Sequence, residues 1–197
     1  MDEYCDWQGR SIPFDHPLSF AGYMKKCVFD QLDGELQLPS SQIHFPDPLA
    51  LDSISQRIEE IGGIDTCYGG IGYHGHIAFN EPPNTHWQEI SVEQFRNSLT
   101  RVVPLSPDTI VMNSTWNTGG NPANIPPMAV TLGMKDILGS RRIRLYCSGG
   151  PWQRTVLRVA LLSEMDVSYP VSLLQDHSDY AIFSDLETAQ PAETSTT

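Results

Sequence analysis

The sequence predicts a single α/β domain: a mostly parallel β-sheet with helices on both faces. Three observations predict it. Stretches whose apolar residues recur at helical spacing alternate along the chain with short extended apolar runs. Strands separated by helices imply parallel pairing, because an antiparallel neighbour needs only a short turn. Two strand ends also run straight into glycines, after Tyr68 and after Cys147, and ligands collect at such junctions in sheets of this class.

Residues 18–32 put Phe20, Tyr23, Met24, Cys27, Val28 and Leu32 on one helical face. Ile43-His44-Phe45 reads as a short extended piece after Ser40-Ser41. Pro48 opens a helical stretch through Ile54, Ile58 and Ile61, which Gly62-Gly63 closes. Asp65 to Tyr68 is a short buried strand entering Gly69-Gly70-Ile71-Gly72, and a long loop follows. Met128 to Leu132 reads as a strand, Met134 to Leu138 as a short helix, and Arg142 to Cys147 as a strand ending at Ser148-Gly149-Gly150. Pro151 sits in a first helical turn, and that helix runs to about Glu164. Tyr180 to Phe183 is the last strand, which gives a domain over residues 1–186. Residues 187–197 have no large apolar side chain and are predicted to be a disordered tail.

A chain of 197 residues is long enough to bury a core without staples, and its 12 basic against 24 acidic residues give a net charge of −12. That balance argues against nucleic acid and against an anionic membrane surface as partners. No apolar run reaches the length of a membrane span. Cys5, Cys27, Cys67 and Cys147 form no C-x-x-C pair and read as reduced, mostly buried thiols of a cytoplasmic protein.

The densest stretch is GGIGYHGHIAFNEPP, residues 69–83. Gly70-x-Gly72-x-x-Gly75 matches a dinucleotide fingerprint nominally, but the residues after Gly75 leave little room for the helix that fingerprint requires. The glycines instead let the backbone pass close to a small ligand. His74, His76, Asn80 and Glu81 are the polar residues among Ile77, Ala78 and Phe79. Three readings stay open on spacing alone. His76 moves a proton with Glu81 fixing its tautomer; or both histidines sit in a surface loop; or His74-x-His76 with a carboxylate binds a metal ion.

The run G-G-I-G-x-x-G-H-I-A-F-N-E-P resembles the signature of the glucosamine-6-phosphate deaminase/isomerase family. The related 6-phosphogluconolactonases continue differently after the Gly-His. Asp2-Glu3-Tyr4 resembles that family's D-E-Y motif, and His16-Pro17, Ser19-Phe20 and Leu174-Gln175-x-His177 are similar to further pieces. The resemblance covers residues 1 to about 186. It implies a modified Rossmann-like sheet and conversion of glucosamine 6-phosphate to fructose 6-phosphate and ammonia, an aldose–ketose isomerisation with deamination, in a cytoplasmic enzyme without metal or organic cofactor. It implies that Asp2 takes the C2 proton, that His76 opens the pyranose ring, and that Glu81 supports His76. Substrate contacts are expected from Gly70, Gly72, Gly75 and Asn80. The alternatives are a non-catalytic sugar-phosphate binding protein and an isomerase of another hexose phosphate.

Three departures from the family pattern bear on this. His74 stands where the family has Asp, and a second imidazole cannot stabilise a protonated His76. The chain begins at D-E-Y, so the expectation is a shortened relative without the first strand and its phosphate loop. Asp2 is then expected at a frayed terminus, and an exposed sheet edge favours a homo-oligomer. Thr115 stands where the family has an Arg, and Arg154 is the nearest equivalent of its phosphate-binding Lys. Ser148, Gly149 and Arg154 then make an anion site at a helix start; the plainer alternative is a turn followed by a solvated Arg154. Arg101 resembles an allosteric-site residue, but Val103 replaces its neighbouring cation, so allosteric control is not expected. Trp7, Trp87, Trp116 and Trp152 read as core or rim packing, Cys67 and Cys147 as packing, and Trp116 to Pro122 as a flexible loop, with a lid over the site as one use of it.

Overall fold

The structure, a computed structural model, describes residues 1–83 and 89–191. Along the chain run β1 (Asp2–Cys5), α1 (Phe20–Cys27), α2 (Asp52–Glu60), β2 (Thr66–Gly70), α3 (Val92–Arg96), β3 (Arg101–Pro104) and α4 (Pro107–Asn117). There follow β4 (Met128–Thr131), α5 (Met134–Leu138), β5 (Arg142–Cys147), α6 (Arg154–Leu162), β6 (Tyr180–Ser184) and α7 (Leu186–Ala189). Short 3-10 turns join several of them, including Pro151–Gln153 and Pro170–Asp176. The chain divides into two compact units, each discontinuous in sequence: Met1–Arg57 with Thr100–Leu132, and Ile58–Leu99 with the residues from Gly133 onward. Because each is assembled from separated segments, no linker composition marks them.

The first unit carries a three-stranded antiparallel sheet in the order β1-β4-β3. Thr131 of β4 faces Asp2 on one side and Arg101 on the other. This corrects two expectations. The sheet is not mostly parallel, because β3 and β4 pair antiparallel although α4 lies between them; an intervening helix permits a parallel crossover without enforcing one. Asp2 is not frayed either. It lies in the β1 ladder, and Leu132 N donates to Met1 O at 2.8 Å.

Helix α1 starts at the N-cap Ser19, whose hydroxyl accepts from Gly22 N at 3.0 Å. The buried Glu3 carboxylate reaches the same helix end from β1. It accepts from Tyr4 N (2.8 Å), Phe20 N (3.1 Å), Ser19 Oγ (2.7 Å) and Ala21 N (2.9 Å). A negative charge set against the orphan amides of a helix N-terminus is favourable on both counts. The apolar face predicted for residues 18–32 is not a core face: within α1 only Ala21 is buried, and Tyr23, Cys27 and Val28 are exposed. The extended piece at Ile43–Phe45 is irregular, and α2 starts at Asp52 instead of Pro48.

The second unit carries the parallel sheet, in the order β2-β5-β6. Cys67, Ile143, Leu145 and Cys147 point to one face and are buried; Val156, Leu157 and Ala160 of α6 and Val171, Leu173 and Leu174 supply further core of this unit. Each Val, Leu or Ile among them contributes roughly 1.5–3 kcal/mol by leaving water. Tyr68, Tyr146 and Phe183 project from the opposite face and are exposed, so this sheet is not covered by helices on both sides. The predicted β4, α5, β5 and β6 are all present. The predicted long loop is not one. It holds α3, opened by a Ser91/Gln94 capping box, then β3, then α4, opened by Ser106-Pro107. Both helix starts are legible in the sequence.

Candidate active site

At the end of β2 the chain turns sharply. Gly75 N donates to Gly72 O, and Gly72 N donates to His76 O, both at 2.9 Å. The turn lays the His76 imidazole directly over the Gly72 Cα. A Cβ at that position would lie 1.9 Å from His76 Nε2, closer than any side chain can sit. Gly75 has φ +72°, and a Cβ there would meet Val156 and Val171 side-chain carbons at 3.0 Å. Gly70 is the last residue of the strand, and the next helix among the described residues is α3. The fingerprint match therefore opens no phosphate-binding helix.

His76 is 7% exposed, which removes it from the surface-loop reading. Its ring stacks on Phe79 at 6.4 Å and faces the His74 ring at 6.3 Å. Burial, and secondarily the neighbouring His74, push its pKa down to about 4, so the imidazole is neutral at physiological pH. A neutral imidazole has one N–H and one lone pair, the pair needed to take a proton from one oxygen and return it to another. Among the described residues, no group hydrogen-bonds the buried His76 Nδ1. Glu81, half-buried, therefore does not fix the tautomer through that nitrogen.

The next residues form a clip. Asn80, fully buried, donates to Ile77 O through both its backbone N (3.1 Å) and its Nδ2 (3.0 Å). This closes a turn in which Ala78 adopts φ +54°, a left-handed conformation that costs about 1–2 kcal/mol for a residue with a Cβ. Ile77 and Phe79 are buried on either side and anchor it. The side chain of Asn80, expected to touch substrate, also shapes the turn that follows His76.

The second glycine junction follows β5. Its amides are already engaged: Gly149 N donates to Gln153 Oε1 at 2.6 Å, and Gly150 N donates to Thr188 Oγ1 at 2.9 Å. Arg154 is 8% exposed and not solvated. Its Nε donates to Glu187 O at 3.1 Å and its Nη2 to Gln190 Oε1 at 3.0 Å, while Arg158 donates to Ala189 O at 3.0 Å. The two arginines cap the carbonyl end of α7. That helix occupies part of the segment expected to be a tail, and its Thr188 is fully buried; residues 192–197 lie outside the described residues. Gln153 was not legible as a site residue, since a glutamine near a helix start carries no motif.

Asp2 belongs to the first unit, and burial pushes its carboxyl above the ordinary carboxylate range. Thr115 is exposed on α4 and donates to Val111 O. Trp7 and Trp116 are exposed instead of packed, Trp152 stacks on Tyr73 at 6.4 Å, and Trp87 lies outside the described residues. Trp116 and Asn117 end α4, and Thr118 Oγ1 ties the next turn to Ser114 O and Asn121 O, which makes it a built helix end instead of a loose lid. Cys5, Cys67 and Cys147 are buried free thiols and Cys27 is exposed. Among the described residues, no three His, Cys, Asp or Glu side chains stand together to share a metal ion, and none of them adds a third ligand to His74-x-His76. No helix among them is long and apolar enough to cross a membrane.

No family model matches the sequence. The fold places the chain in an α/β class that holds both sugar-phosphate deaminases and lactonases. A monomeric glucosamine-6-phosphate deaminase superposes with a TM-score of 0.77 at 28% identity, over 96% of this chain and 72% of that one. A 6-phosphogluconolactonase from Trypanosoma cruzi shares the fold at a TM-score of 0.62 and 19% identity, over 95% and 69%. Sequence narrows the class. The chain is 33% identical over 193 residues to the glucosamine-6-phosphate deaminase of Bacillus pumilus, covering 95% of this chain and 71% of that protein. It is 32% identical over 192 residues to that of Phocaeicola vulgatus, covering 94% and 65%. The chain belongs to the glucosamine-6-phosphate deaminase family, and it spans 65 to 71% of the length of these two relatives.

Proposed function

We propose that this protein converts glucosamine 6-phosphate and water to fructose 6-phosphate and ammonia. The observation that carries the reading is the buried, neutral His76 seated on Gly72, in a chain of this family. In this reading the imidazole takes the proton of the anomeric hydroxyl and returns one to the ring oxygen, which opens the pyranose. Asp2, whose burial makes it a stronger base than an ordinary carboxylate, removes the C2 proton to give an enolamine. Protonation at C1 gives a C2 imine, and water replaces its nitrogen to leave the ketose and ammonia. In this reading His76 carries the ring-opening proton and Asp2 the C2 proton, and neither step calls on a metal ion or organic cofactor.

The His74 ring, which faces His76 at 6.3 Å and cannot stabilise its protonated form as a carboxylate would, favours a second reading, a sugar-phosphate binding protein that does not turn over. Incubation in D₂O with glucosamine 6-phosphate and several hexose 6-phosphates separates the two. Deuterium at C1 and C2, followed by NMR, with ammonia release from the amino sugar and loss of both in His76→Ala, is the expected result. Saturable binding by calorimetry with no exchange from the folded chain overturns the first reading in favour of the second.

A further inference from the structure

The two glycine junctions of the parallel sheet are joined by one side chain. Gln153 is 4% exposed, in the turn before α6. Its Oε1 accepts from Gly149 N at 2.6 Å, and its Nε2 donates to Ile71 O at 2.6 Å, across 82 positions of sequence. Ile71 is itself buried and immediately precedes Gly72, the residue on which the His76 ring rests. The contact is short at both ends, and a carboxamide offers an acceptor and a donor on adjacent atoms of one uncharged group. From the other side Gly72 N is held by His76 O. The path Gly149–Gln153–Ile71–Gly72–His76 is therefore continuous, and all of it lies within the second unit.

We propose that Gln153 is a positioning residue for His76: its carboxamide fixes the Ile71–Gly72 backbone, and so the seat of the imidazole, to the loop that follows β5. The inference rests on His76 being the proton shuttle, but the coupling is a property of the folded chain and can be measured without substrate. The consequence is that any ligand taking the Gly149 amide must displace Gln153 Oε1 and loosen the other end of the same carboxamide.

The test uses Gln153→Met, which keeps the volume and removes both hydrogen bonds, and Gln153→Glu, which keeps the acceptor and loses the donor to Ile71 O. The His76 ring is followed by NMR titration against His74, the titratable group facing it. Gln153→Met, which adds no charge, is expected to raise the His76 pKa by about one unit or more as the seat loosens and water enters. With glucosamine 6-phosphate, kcat is expected to fall roughly 10- to 100-fold with KM little changed, as for a misplaced catalytic group. A purely structural glutamine would lower the melting temperature and leave the His76 titration where it was, and that result in folded Gln153→Met overturns the proposal. If that variant does not fold, the unmodified chain decides. The Gln153 carboxamide protons and the Gly149 amide must exchange with solvent at least about tenfold more slowly than free amides, and unprotected protons overturn it. Absent turnover in the wild-type chain, with the titration shift still present in Gln153→Met, refutes the deaminase reading and leaves the coupling standing.

Discussion

The imidazole of His76 lies so close over Gly72 that a single added carbon would fall 1.9 Å from Nε2. The close approach explains the glycine, since φ at this position is not in the left-handed region. Gly72→Ala is therefore expected to swing the ring out of its seat. C2 proton exchange should fall about 100-fold or more, with a loss of roughly 1–3 kcal/mol from overpacking. Exchange kinetics together with urea unfolding check it; wild-type exchange in the folded variant would place the chemistry elsewhere.

Burial of neutral His76 links stability to pH. Its folded pKa, about 4, lies below the unfolded value near 6.5, so between these the unfolded chain binds the proton and the folded chain does not. The stabilisation is fully present above pH 6.5 and is lost as pH falls toward 4. Between pH 7 and pH 4.5 the loss from this one group is about 2–3 kcal/mol. Urea unfolding of the wild type and His76→Phe at both pH values isolates it: the wild type should lose that much more than the variant. Equal losses would mean the ring is solvated.

Asp2 has the opposite sign. Its carboxyl is raised by burial, so the contribution is most favourable below the unfolded carboxylate pKa and is lost as pH rises through the folded one. Asp2→Asn should therefore melt higher than the wild type at pH 7, with the gap closing below about pH 4, while C2 exchange disappears. Thermal melts at both pH values check the first part, and a lower melting temperature at pH 7 would contradict it.

Glu3, beside it, is held by four donors and should behave as a fold determinant. Glu3→Gln keeps the shape but gives up one acceptor and the charge at the α1 N-terminus. A loss of about 2–3 kcal/mol is expected, read as a lower urea midpoint at unchanged slope. A midpoint within error of the wild type would show that the amides are satisfied without the charge.

The linear sequence by itself determined β4, α5, β5, β6, the helix after Pro151 and the family, the last through residues 69–82, because these depend on neighbours within a few positions. The helix starts at Ser91 and Ser106 were written there as well and lay inside a predicted loop. What only the tertiary structure decided are partnerships over long separations: Glu3 with Ser19 at 16 positions, Arg154 with Gln190 at 36, Gln153 with Ile71 at 82. Partnerships of that kind turned an apparent solvated arginine into a buried cap and part of an expected tail into a helix, and long-range strand pairing gave one antiparallel and one parallel sheet where a parallel arrangement was expected. Burial in the folded chain also took the His76 pKa far from the ordinary value. A motif names the residue, but desolvation by distant parts of the chain decides its charge, and that decides which proton it can carry.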